Sequence, residues 1–217
     1  MRYMERPKEI YKTIRGAGTD EFTEKRSRFI GSALPVTTEK EALDFIAAMK
    51  SKYWDANHNV YAYILREGGI QRFSDDGEPQ GTAGIPTLEV LKKGGLTDLV
   101  VVVTRYFGGI LLGAGGLVRA YSHGAKIAVD AAGIKHMRPA FVVELDTDYS
   151  LYGKIAYILP KYHIQQQEND FGLSVRMRFV MAAELFEAFR AELTDLTNGA
   201  VFPYVQEEIY ADIPLED

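Results

Sequence analysis

LVVVVTRYFGGILLGAGGLVRAYS, residues 99–122, decides the fold of the chain. Leu99 to Val103 is a continuous apolar run, the pattern of a central strand covered on both faces. Arg105 follows at its C-terminal end. Gly108, Gly109, Gly113, Gly115 and Gly116 then crowd into one loop, where a Cβ would block tight turns and close approaches. From about Leu117 a long helix runs to Ala132, and its small residues Ala120, Gly124, Ala128 and Ala131 let it lie close to a sheet.

Upstream, Tyr11–Gly16 and Ser27–Val36 read as strands. Thr38 with Glu41 forms a capping box, in which hydroxyl and carboxylate satisfy free N–H groups at a helix start. Ala42, Phe45, Ile46, Met49 and Tyr53 continue it at helical spacing. His58–Arg66 and Ile70–Phe73 read as a hairpin around Gly68-Gly69. A polar loop, SDDGEPQGTAG, spans residues 74–84. Pro86 sits at the first turn of a short helix that stops at Gly94-Gly95.

Downstream the pattern is simpler. Phe141–Leu145 is a strand. Leu151, Ile155, Ile158 and Leu159 stripe a helix that ends at Pro160. Tyr162–Glu168 is a strand, Asn169–Gly172 a turn, and Leu173–Met181 an alternating strand. Leu185, Phe189, Leu193 and Leu196 stripe a second helix, and Val201–Ile213 supplies the last strand. The order β-α-β-β-α-β is that of the ferredoxin-like unit. The sequence therefore reads as α+β with two domains, 1–138 and 139–217, parted at Arg138-Pro139.

The composition agrees with two small domains. The chain has 217 residues, 47% of them hydrophobic, with a net charge of −5. It has no cysteine, which excludes disulfides, thiolate zinc sites and a cysteine nucleophile. No apolar run reaches a membrane span, and MRYMERPKEIYKTIRG lacks the apolar core of a secretory signal. The expected location is the cytoplasm. Residues 1–139 carry 20 Lys and Arg against 16 Asp and Glu, whereas 140–217 carry 5 against 14. That asymmetry points the first half toward an anionic partner.

The candidate chemistry sits in the glycine loops. Free N–H groups at the helix start after Gly113, Gly115 and Gly116 suit a phosphate or carboxylate, and Arg119 could add donors. The same glycines also serve as turn and packing residues. GAGGLV is neither G-x-G-x-x-G nor a P-loop. It resembles the phosphate loop of galactokinase–homoserine kinase enzymes, but lacks their double serine. Asp75, Asp76 and Glu78 lack the spacing of a calcium loop and fit an Asp-Gly turn. His58, His123, His136 and His163 are scattered, so no metal set and no cofactor motif is expected. Lys25, Arg26 and Arg28, with Arg105, Arg119, Tyr106 and Phe107, would make a basic face carrying aromatic residues. Such a face suits RNA, whose phosphates give affinity while aromatic rings stack on bases.

Four segments together resemble the IMPACT family in its bacterial YigZ/YvyE type: EKRSRFIG (24–31), HNVYAY (58–63), FSDDGEPQGTAGIP (73–86) and VVTRYFGGILLGAGGLVRAYS (102–122). The resemblance implies a first domain like domain 2 of ribosomal protein S5 and a ferredoxin-like second domain. That pair resembles the last two domains of elongation factor G. It implies partners among RNA, the ribosome or translation factors, since eukaryotic members are linked to control of translation initiation. It marks His58, Ser74, Asp75, Asp76, Gly77, Glu78 and Pro79, together with the Arg105–Gly109 segment, as the working surface. No catalytic residue is implied. The expected function is a non-catalytic translation-associated regulator. The alternative is an enzyme or sensor that binds a small phosphorylated ligand at Gly108–Gly116, with His58, Asp75, Asp76 and Arg105 converging on it.

Overall fold

The computed structural model describes residues 10–164 and 166–213. The N-terminal segment read above for a secretory signal lies mostly outside them, as does Gln165. The chain divides into two compact units, and the first covers residues 11–135.

In the first unit β1 (Tyr11–Ile14) precedes the hairpin of β2 (Gly18–Glu24) and β3 (Ser27–Pro35). Helix α1 (Glu39–Lys52) follows, then β4 (His58–Leu65) and β5 (Ile70–Ser74). Helix α2 (Gly84–Lys93), β6 (Leu99–Tyr106) and α3 (Ala114–Ala132) complete it. The sheet order is β2-β3-β6-β4-β5, antiparallel throughout. Strand β6 is central, as its apolar run requires. Its alternate residues enter two cores: Val101 and Val103 meet α2 and α3 through Leu91, Tyr121 and Ala125, while Val100 and Val102 meet Ala42 and Ile46 of α1. Ala120, Gly124 and Ala128 face the sheet as expected, but Ala131 is exposed and Ala132 takes the buried place.

Thr38 caps α1 in the expected capping box with Glu41. Strand β2 is an element the sequence reading passed over. Its burial pattern is nearly all exposed, because it is an edge strand, so it lacks the apolar alternation on which that reading relied.

The second unit, residues 136–217, contains most of β7 (Ile134–Thr147). It continues with α4 (Tyr149–Ile158), β8 (Gln166–Phe171), β9 (Val175–Ala182), α5 (Phe186–Thr197) and β10 (Tyr204–Asp212). The antiparallel order is β10-β7-β9-β8, which is the ferredoxin-like arrangement. Ile155, Ile158, Phe189 and Leu193 of the two helices pack on Val143, Leu145, Met177 and Phe179 of the sheet.

Several boundaries moved, among them the strand expected from Tyr162, which begins at Gln166. No break occurs at Arg138-Pro139: β7 runs through both residues, and the units part at 135/136. The expected turn at Asn169–Gly172 is displaced, because Asn169, Asp170 and Phe171 pair with Met177, Arg176 and Val175. Polar turn formers there are strand residues held by their ladder.

Candidate functional site: a cleft at the end of the central strand

Strand β6 carries Arg105 to the edge of the core, and neighbouring elements close around it. The arginine is only 5% exposed. Its Nη1 donates to Glu78 Oε1 at 2.6 Å, and its Nη2 reaches Ser27 Oγ at 3.4 Å. Glu78, itself 8% exposed, is drawn in by the 74–84 loop. A buried cation is tolerated only beside an opposite charge with good hydrogen bonds, so this pair fixes the loop against the strand. Tyr121 of α3 adds a third member, donating its O–H to the same Glu78 oxygen at 2.7 Å. Burial, reinforced by that carboxylate, holds the Tyr121 hydroxyl well above the usual tyrosine range, so it stays protonated and donating.

His58 completes the cluster from the start of β4. Its Nδ1 lies 2.8 Å from the Asp76 carbonyl oxygen, which can only accept, so Nδ1 carries the hydrogen. Nε2 then faces Glu78 Oε1 at 3.8 Å.

The other two acids hold the loop. Asp75 accepts from the backbone N–H groups of Gly81, Ala83 and Gly84 and so fixes the start of α2. Asp76 accepts from the Asn59 N–H at 2.6 Å and pairs with Lys50 at 2.6 Å. Ser74 Oγ accepts from the Asp76 N–H. The Asp75 carboxylate is spent on N–H groups of its own loop, as the Asp-Gly turn reading expects, whereas the Asp76 carboxylate ties the loop to β4 and α1. Gly77 has positive φ and lies against His58, and Gly77 and Pro79 line the cleft.

The cleft encloses about 460 Å³. Its polar lining is Asn57, His58, Glu78 and Arg105, and its apolar lining includes Phe107, Leu111 and Leu117. Gly113 and Ala114, at the start of α3, border it as well. Gly113 is the N-cap, with φ +73°, and no side chain caps this helix. Among the described residues no protein group accepts from the N–H groups of Ala114, Gly115 or Gly116; the ladder begins with Leu117 N–H donating to Gly113.

The cations at the other side of the loop behave differently. Lys25 and Arg26 form the two-residue turn of the β2–β3 hairpin, both at positive φ, and both are exposed. Gly108 packs directly on the Arg26 backbone, where any Cβ would overlap the carbonyl. Arg28 is exposed, paired with Glu21 at 2.6 Å, and lies 5.9 Å from the Tyr106 ring centre. Tyr106 donates to Asp55. Arg119 is exposed, as are Phe107 and Gly109 at least in part.

The structure thus brings Lys25, Arg26 and Arg28 beside Tyr106–Gly109, but it corrects the expected basic face in one respect. Arg105 does not belong to it: its guanidinium is buried and neutralised by Glu78. Asp75 and Asp76 do not converge on the Gly108–Gly116 loop either, whereas His58 and Arg105 do line the cleft with its Leu111–Gly113 part. Tyr121, Ser27 and Asn57 were missed. Tyr121 was legible in principle, since it sits on the inward stripe with Leu117, Gly124 and Ala128, where a phenol needs a partner. Ser27 and Asn57 carry no such signal. Asn57 accepts from the Phe107 N–H at 2.7 Å, a contact across 50 residues of chain.

Among the described residues no group of three or more His, Cys, Asp or Glu could hold a metal ion, and no helix is long and apolar enough to cross a membrane.

Comparison with known proteins fits this architecture. The Impact N-terminal domain matches residues 25–129, and a domain of unknown function, DUF1949, matches residues 145–200. IMPACT family member YvyE of Bacillus subtilis is 41% identical over 190 residues, covering 87% of this chain and 88% of its own. IMPACT family member YigZ of Escherichia coli is 32% identical over 180 residues, covering 82% and 88%. Protein IMPACT of Bos taurus is 34% identical over 97 residues, covering 42% of this chain and 30% of its own. A crystal structure of a hypothetical protein superposes with a TM-score of 0.58 at 30% identity, covering 92% of this chain and 98% of that one. With long relatives at such identity, and both domains matched in order, the chain belongs to the IMPACT family.

Proposed function

We propose that this protein is a non-catalytic, translation-associated regulator whose first unit binds RNA. The observation that carries this reading is the strip formed by the Lys25-Arg26 turn, Arg28, Tyr106 and Phe107. The turn is seated on Gly108, so two exposed cations stand in fixed positions beside a half-exposed ring, Phe107. Trp54, 82% exposed, adjoins Asp55, the acceptor of the Tyr106 hydroxyl. Cations that meet phosphates and rings that stack on unpaired bases are the parts of a single-strand or loop-RNA surface. The resemblance to a family whose eukaryotic members are linked to translation initiation supports a partner among ribosomal RNA or translation-factor complexes.

The test is fluorescence anisotropy with a labelled ribosomal RNA hairpin across a salt series. Affinity should fall steeply with salt. The triple variant K25E/R26E/R28E should bind at least 10-fold more weakly, with a salt slope shallower by about 2, at about 0.7 per contact. Unchanged affinity and slope would remove the strip from the function.

A second reading has its own support. The uncapped start of α3 borders the cleft that His58 and Arg105 also line. That combination favours a small phosphorylated ligand at the Gly108–Gly116 loop, the phosphate taking the free N–H groups.

A further inference from the structure

We propose that the edge of β8 in the second unit takes up an extended segment of a basic protein as an added strand. Strand β8 ends its sheet, with β9 on one side and no strand on the other among the described residues. Alternate N–H and C=O groups of such a strand point outward, a template for another chain. Folded proteins blunt these edges with a bulge, a proline or a lysine. Residues 166–171, QQENDF, hold neither proline nor lysine, and their ladder to β9 runs without a register shift. Strand β10 of the same sheet does carry a shift, between Val205 and Glu207. The only charges on β8 are two acids, Glu168 and Asp170.

The two faces of the edge differ, and together they specify the segment. Glu168 and Asp170 stand opposite Arg178 and Arg176 of β9, on the face away from the helices, because Met177 and Phe179 between and beside those arginines pack on α4 and α5. Both acids are exposed. Arg176 is drawn to Glu144 and Asp146 of β7, and among the described residues neither Glu168 nor Asp170 has an ion pair or a side-chain hydrogen bond. Cross-strand neighbours of opposite sign favour pairing, so an added strand would set Lys or Arg on this face. The charge of residues 136–217, 6 Lys and Arg against 14 Asp and Glu, attracts the same partner.

On the other face Phe171 lies beside Tyr152 and Tyr149 of α4, with ring centres 5.5 and 6.5 Å away. Phe171 is 56% exposed, Tyr149 57%, and Leu173 in the turn that follows is wholly exposed. These groups suit apolar side chains. The segment therefore alternates basic and apolar residues, which is the period of a strand. A second copy of this chain is the wrong occupant. Pairing β8 with its own copy about a two-fold axis would set acids against acids across the ladder.

Fluorescence anisotropy of the full chain with a short labelled peptide that alternates lysine and valine tests this. The comparison peptides have the same lysines in one block, glutamate in place of lysine, or a methyl group on every backbone nitrogen. The alternating lysine peptide should bind at least about 10-fold more tightly than the block or glutamate peptide, and less tightly as salt rises. Methylation removes the main-chain donors and should abolish binding, which a purely electrostatic contact would survive. E168K/D170K should weaken binding at least about 10-fold with the melting temperature kept. E187K/D195K makes the same charge change on the exposed side of α5 and should leave binding unaltered. Equal binding of the alternating and block peptides, or equal loss in the two double variants, would reduce the effect to attraction by an acidic domain and overturn the strand site. No binding at millimolar peptide also overturns it. So does a dimer in light scattering that E168K/D170K dissociates, since a second copy would then fill the edge.

Discussion

Strand β6 of the first unit carries an arginine inward, and strand β9 of the second carries two outward. Arg105 is enclosed by Glu78, Tyr121 and Ser27. On β9, Arg176 and Arg178 alternate with buried Val175, Met177 and Phe179, and Arg176 meets Glu144 and Asp146 at 3.5 and 3.4 Å with more than half its side chain in solvent. Both strands belong to antiparallel sheets covered by helices. They differ in what lies across from the arginine. Strand β9 keeps its two arginines at the surface beside an apolar core, whereas the first unit draws an ion pair, a phenol and a histidine to one end of its central strand. Charge that a fold has to enclose, at a cost in desolvation, marks a place where the arrangement itself is used.

The net charges sharpen the contrast. With the boundary at 135/136, residues 11–135 carry 16 Lys and Arg against 14 Asp and Glu, and residues 136–217 carry 6 against 14. The first unit is nearly neutral, so any affinity for RNA has to come from the local strip rather than from a general positive field.

The largest way to break the comparison is to remove one buried partner. Glu78→Ala leaves Arg105 enclosed and uncompensated, and urea unfolding should show a loss of about 3–5 kcal/mol. A loss under about 1 kcal/mol would mean that the cluster is no more than another surface pair. Tyr121→Phe removes one hydrogen bond to a carboxylate and should lose about 1.5–3 kcal/mol. It also has a pH signature. Tyr121 and Tyr63 are both raised by burial, Tyr63 to about 12, aided by carboxylate partners Glu78 and Glu39. A folded-state value above the unfolded one, about 10, makes each contribution complete below that pH. It is lost as pH climbs toward the folded-state value. Stability should therefore fall above about pH 10, and less steeply in Tyr121→Phe.

Helix caps should not distinguish the units. Thr38→Ala at α1 and Asp148→Ala at α4 each remove a side chain that accepts from first-turn N–H groups. Each should lose about 1 kcal/mol by the same unfolding assay. A large difference between them would show that the cap is tied into tertiary structure in one unit. The smallest effect belongs to Arg176→Ala, whose own side chain is mostly in solvent, at less than about 0.5 kcal/mol. A cost near that of Glu78→Ala would erase the distinction between the two arginine-bearing strands.

Much of the fold was legible because it rests on periodicity. The capping box at Thr38, the buried run of β6 and the β-α-β-β-α-β order each follow from residues near one another in sequence. Strand β2 was not legible, since a solvated edge carries no apolar alternation. Nor was the passage of β7 through Arg138-Pro139, where strand pairing with β10 overrides a local turn signal. The site was half legible. His58, Glu78, Arg105 and Gly113 were named from their segments, but Arg105 was placed on a surface it does not occupy.

The sequence by itself determined the two αβ units, the central strand and the glycine loop before α3, because hydrophobic period and glycine placement act within a few residues. Only the tertiary structure decided which charges are neutralised. Glu78 lies 27 residues before Arg105 and Tyr121 another 16 beyond it, and their meeting depends on the sheet register and the helix packing. Burial and partner choice are properties of the assembled core, so an arginine that reads as a cation in the chain becomes, once folded, the inner wall of a cleft.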